Sequence, residues 1–87
     1  MNYDTLEQYK FDETYEKVYK DIKSKKNKRD NFSIEKLQEL IDETYFNMET
    51  ESLKDYNHRD KQIISEATLQ AMKQVMREWK NEVEKAP

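Results

Sequence analysis

The sequence predicts an all-α protein, a three-helix bundle in up-down-up order, on three observations. The chain contains no glycine, and its one proline is the last residue, Pro87. It therefore lacks the residues that most readily form tight hairpins and positive φ angles. Apolar residues recur at three- and four-residue spacing in three separate stretches, which is the period of one helix face. Polar stretches break that period twice, around 23–31 and 51–60. Three amphipathic helices with short polar connections bury their stripes most simply against one another.

The first helix is expected over about 12–25, because Phe11, Tyr15, Val18, Tyr19 and Ile22 share one arc at about 100° per residue. Leu6 and Tyr9 fall outside that arc, so residues 1–11 are expected to form a short amino-terminal arm or turn. Asp4, with Glu7 three residues on, is the acidic counterpart of a capping box and would open it. Lys23, Lys25, Lys26, Lys28 and Arg29 follow with no apolar residue before Phe32, and this basic island reads as a loop.

Ser33 is a good N-cap, and Phe32 before it with Leu37 after it has the spacing of a hydrophobic staple. The second helix is expected over 33–51, with Ile34, Leu37, Leu40, Ile41, Thr44, Tyr45 and Met48 on its core face. The third is expected over 60–84, capped by Asn57 or Asp60, its face formed by Ile64, Ala67, Ala71, Met72, Val75, Met76, Trp79 and Val83. Without glycine, the turns fall to polar residues such as Asn27, Asn31 and Asn57. The alternative is a helical hairpin that completes its core as a homodimer. A long parallel coiled coil is disfavoured, since no strict seven-residue repeat persists.

With 87 residues the chain has room for one domain, 1–87, and a modest core. Charged residues at 40% and hydrophobic ones at 34% lean toward disorder, but six tyrosines, three phenylalanines and a tryptophan favour a folded, marginally stable domain. Self-association or a partner would add to that stability. The absence of cysteine excludes disulfides and thiolate metal sites. Met1–Lys10 is polar and acidic, so neither a signal peptide nor a membrane span is expected, and the predicted location is the cytoplasm. Thirteen lysines against three arginines, with abundant Asn, Ile and Tyr, suggest an AT-rich coding sequence, as in a low-GC bacterium, its phage or a mobile element.

The missing glycines also remove phosphate-cradling loops, dinucleotide fingerprints and nucleophile elbows. Ser24, Ser33, Ser52 and Ser65 have no evident base, and carboxylate neighbours such as Asp42 and Glu43 arise by chance on so charged a surface. A calcium loop read from Asp55 to Glu66 fails, because Asp60 occupies the position that needs glycine and Arg59 a ligand position. One histidine, His58, without cysteine does not make a typical zinc site. No enzyme activity, metal or cofactor is expected, and no motif points to a known family.

Two surfaces remain as candidates. Glu35, Glu39, Asp42, Phe46 and Glu49 lie opposite the core stripe of the second helix, and Leu53 would join them if the helix continued. An aromatic anchor with an acidic rim suits a partner protein with a basic surface, making the chain a regulator or inhibitor that acts by binding. The competing expectation for this face is that Leu6 and Tyr9 of the arm fold over Phe46. The rival function is nucleic-acid contact through Lys23, Lys25, Lys26, Lys28 and Arg29, each able to neutralise a phosphate. Against it stand the net charge of −3 and the lack of any helix-turn-helix or zinc-finger pattern.

Overall fold

The computed structural model describes residues 4–28, 31–51 and 58–85. They form three helices, α1 (Thr5–Lys28), α2 (Ile34–Glu51) and α3 (His58–Lys85). There is no strand among the described residues.

α1 opens on the reciprocal cap that the sequence suggests. The Glu7 N–H donates to Asp4 Oδ1 at 2.8 Å, and the Asp4 N–H donates to Glu7 Oε1 at 3.2 Å. The cap starts α1 itself, so the expected arm is corrected: residues 5–11 are its first turns. Nothing between Thr5 and Phe11 breaks a helix, and Leu6 and Tyr9 simply face solvent, 80% and 68% exposed.

The other end of α1 corrects a second expectation. Lys23–Lys28 is helix rather than loop. Lys25, Lys26 and Lys28 occupy the last turn, where unsatisfied carbonyls concentrate negative partial charge and favour cations. Lys23 and Lys26 also pair with carboxylates on α3, which ties these last turns to the bundle.

In the short connection that remains, Asn31 takes a φ of 59°, in the left-handed region that asparagine tolerates better than most residues. Ser33 then caps α2 as expected, its Oγ accepting the Lys36 N–H at 3.2 Å and its carbonyl the Leu37 N–H at 3.0 Å. α3 begins at His58, so Asp60 lies within its first turn, where a negative charge is favourable, instead of capping it. Asn57, the other expected cap, lies outside the described residues.

α3 is the central helix, with α1 packed parallel to it and α2 antiparallel. Tyr19 and Lys26 of α1 meet Glu78 and Glu82 in ascending order, whereas Phe32, just before α2, and Tyr45 within it meet Trp79 and Lys73 in descending order. This is the up-down-up bundle. The buried cluster comprises Ile22 of α1, Leu37 and Ile41 of α2, and Leu69, Met72, Val75 and Met76 of α3.

Because α3 has a neighbour on two sides, its buried arc is wider than one stripe. Ile63 and Leu69, which the single-face reading omits, are buried at 0% and 4% exposure. Ile64 and Val83, assigned to the core from sequence, are instead exposed near the two ends of the helix. Val83 lies one turn beyond Trp79, against which Phe32 stacks at 6.1 Å.

α1 and α2 both pack on α3, yet their Cα atoms nowhere approach within 8 Å among the described residues. The radius of gyration is accordingly 14.4 Å, against about 12 Å for a compact domain of this length. A 28-residue helix alone spans about 42 Å, which accounts for most of the 49 Å long axis.

Candidate functional site

The outward face of α2 is assembled as its spacing implies. Glu35, Glu39, Asp42, Phe46 and Glu49 are all exposed, within about 80° of arc at 100° per residue. Phe46, with 64% of its surface accessible, lies within that arc, between Glu35 and Glu39 in angle. Leu6 and Tyr9 are themselves largely exposed on α1, so these two residues do not bury Phe46 as the competing expectation had it. Leu53 lies outside the described residues. Around the aromatic ring the polar side chains bond locally: Gln38 Nε2 donates to Asp42 Oδ1 at 3.0 Å, and Lys36 lies 3.9 Å from Glu39.

The basic island is arranged very differently. Lys23 Nζ is 3.1 Å from Glu78 Oε1 and sits 5.4 Å from the centre of the Tyr19 ring. Lys26 Nζ is 2.5 Å from Glu82 Oε2 and 5.7 Å from the Trp79 ring centre, with only 13% of its side chain exposed. Lys25 pairs with Asp21 at 3.5 Å, and Lys28 is exposed. Arg29 lies outside the described residues. Two of the cations meant for phosphate thus join α1 to α3, while Lys23 and Lys28, with Lys20 and Tyr19, line one shallow depression on α1.

Glu78 is the hub of this end. The Tyr19 hydroxyl lies 2.8 and 2.9 Å from its two oxygens and donates to the carboxylate, while Gln74 Nε2 donates at 2.9 Å. The Gln74 and Tyr19 donors, with the Lys23 ammonium beside them, hold Glu78 well below the usual carboxylate range, at about 2, against the opposing effect of partial burial. The same carboxylate raises the Tyr19 and Lys23 pKa values. Tyr19 continues a ladder of rings along α1, stacked on Tyr15 at 6.1 Å, which is stacked on Phe11 at 6.4 Å.

At the opposite end a cleft opens between α1 and α2, floored by α3. It is lined by Phe11, Tyr45, Met48, Glu66, Leu69, Gln70 and Lys73. Phe11, Tyr45 and Met48 were read from sequence as core; Met48 does pack against the buried cluster, but the separation of α1 from α2 leaves all three along an open wall. Tyr45 is 41% exposed, and its hydroxyl accepts a hydrogen bond from Lys73, whose ammonium lies 4.9 Å from the ring centre. The signal available in the sequence was residue type, because tyrosine at the edge of a stripe keeps its polar tip near water.

Among the described residues no group of three His, Cys, Asp or Glu side chains converges to hold a metal ion. The segment proposed and rejected as a calcium loop is helical from His58 onward. No described helix is long and apolar enough to cross a membrane. The class defined by fold and surface is a small three-helix protein with an acidic, aromatic-bearing outer helix. Comparison with family models, curated proteins and solved structures finds no match.

Proposed function

We propose that this is a non-catalytic protein that acts as a regulator or inhibitor by binding a second protein with a basic surface through the outer face of α2. The observation that carries the reading is the exposure of Phe46 on the same helix face as Glu35, Glu39, Asp42 and Glu49. The carboxylates raise the rate of encounter with a cationic surface, and the ring supplies apolar contact area once docked. A phenylalanine buries about 200 Å² when fully covered, so the 64% still accessible is about 130 Å². At about 25 cal/mol per Å² this is roughly 3 kcal/mol of gross transfer free energy. The nucleic-acid alternative is weakened by the engagement of Lys23 and Lys26 with Glu78 and Glu82.

The test is affinity capture from the native host, followed by binding measurements with Phe46→Ala and with the Glu39→Lys, Asp42→Lys pair. Phe46→Ala is expected to weaken binding at least about tenfold, mainly through faster dissociation. The charge reversal is expected to slow association and flatten its salt dependence. Unchanged affinity and rates in both variants would exclude this face.

A further inference from the structure

Among the described residues the helices leave a cleft between α1 and α2 unfilled, and its walls carry what a buried helix would need. We infer that it seats a basic amphipathic helix of the partner protein, an inference that rests on the binding role of the α2 face and adds how the partner is held.

The first argument is shape. Two helices that pack directly lie about 8–10 Å apart axis to axis, whereas α1 and α2 stay more than 8 Å apart even at their nearest Cα atoms. α3 provides the floor through Leu69, Phe11 lines one wall, and Tyr45 and Met48 line the other. That is the anatomy of a helix-in-groove site, in which apolar residues at i, i+3, i+4 and i+7 enter together.

The second argument is where the exposed apolar residues fall. Leu6 and Tyr9 near the start of α1, Tyr45 and Phe46 in the second half of α2, and Ile64 near the start of α3 all belong to the same end of the up-down-up bundle. At the other end Trp79 is stacked with Phe32 and covered by Lys26, with Val83 exposed one turn beyond.

Charge chooses the occupant. Asp42 and Glu49 stand three residues before and four after Tyr45, so the cleft wall runs directly into the acidic face of α2. Glu7 stands four residues before Phe11 on the opposite side, and Glu66 lines the cleft itself. Lys73, the cation among the lining residues, is drawn onto Tyr45. A helix with an apolar stripe and Lys or Arg flanks meets these acids on both sides. A second copy of this chain, docked by two-fold symmetry through the same end, would set acid against acid.

The experiment uses the full chain and a fluorescent synthetic helix with leucines at i, i+3, i+4 and i+7 and lysine and arginine flanks, followed by anisotropy and amide chemical-shift mapping. Saturable binding is expected at micromolar concentration, with shifts centred on Phe11, Tyr45, Met48 and Leu69, and at least about tenfold weaker binding of the same helix with glutamate flanks. Tyr45→Ala and Met48→Lys should each weaken binding about tenfold. Should Met48→Lys fail to fold by circular dichroism, Tyr45→Ala decides, since Tyr45 is already 41% exposed. No binding, equal binding of the glutamate-flanked helix, or a light-scattering dimer whose formation shifts the cleft resonances overturns the inference. If the captured partner responds to Phe46→Ala and the charge reversal but not to Tyr45→Ala or Met48→Lys, the α2 face stands and the cleft falls. The reverse pattern removes the face and keeps the cleft.

Discussion

Replacing Glu78 by glutamine removes one charge from the contact where Tyr19 and Lys23 of α1 meet α3, while keeping a side chain that still accepts a hydrogen bond. Glu78 moves from an ordinary value of 4.5 to about 2, the Gln74 and Tyr19 hydrogen bonds being the main causes and Lys23 a further one. Taken whole, that displacement corresponds to about 3 kcal/mol of preference for the ionised form. With 31% of the side chain exposed, solvent screening reduces the contribution to about 1–2 kcal/mol. At pH 7, Glu78→Gln should therefore melt roughly 5–15 °C below the wild type by circular dichroism. The carboxylate of the unfolded chain protonates near 4.5 and that of the folded chain near 2, so the stabilisation is complete above pH 4.5 and disappears as pH falls toward 2. The two melting temperatures should thus converge on acidification. An equal gap at pH 7 and pH 2, or none at pH 7, would refute the assignment of Glu78 as an ionised tie between α1 and α3.

Two further outcomes follow from the helix junctions and the core. Asn31→Ala keeps a β-carbon at a left-handed φ of 59° but removes the short polar side chain that lets asparagine tolerate it, and should lower urea-unfolding stability by about 1 kcal/mol, whereas Asn31→Gly, with no β-carbon, should leave it no worse; equal effects from both would remove the conformational argument. Leu37→Ala empties a fully buried position of α2 and should cost about 2–5 kcal/mol, a large share of the total for so small a chain; a urea midpoint shift worth less than 1 kcal/mol would show that the site collapses around the smaller side chain.

Much of this architecture is legible in the residues. The Asp4–Glu7 box and the Ser33 cap are local devices with fixed spacing, and both form as their spacing implies. Leu37, Ile41, Ala67 and Val75 repeat at helical intervals and are buried. The acidic face of α2 is legible for the same reason: Phe46 lies opposite the stripe in any helix of this register. What local spacing misled was the basic island, where a run without apolar residues reads as a loop. The island is instead the last turns of α1, where Lys23 and Lys26 pair with Glu78 and Glu82, more than fifty residues away in sequence.

By itself, then, the sequence determined the helical class, two of the caps and which residues of α2 face away from the core, because each depends on interactions within a few residues. Only the tertiary structure decided that α1 runs unbroken from Thr5 to Lys28, that Lys23 and Lys26 bind α3, and that Phe11, Tyr45 and Met48 line an open cleft. The physical reason is that a hydrophobic period reports which side of a helix avoids water, but not how many neighbours share that side or how closely they approach. α3 has neighbours on two sides while α1 and α2 remain apart, and that arrangement turns part of a predicted core into a surface.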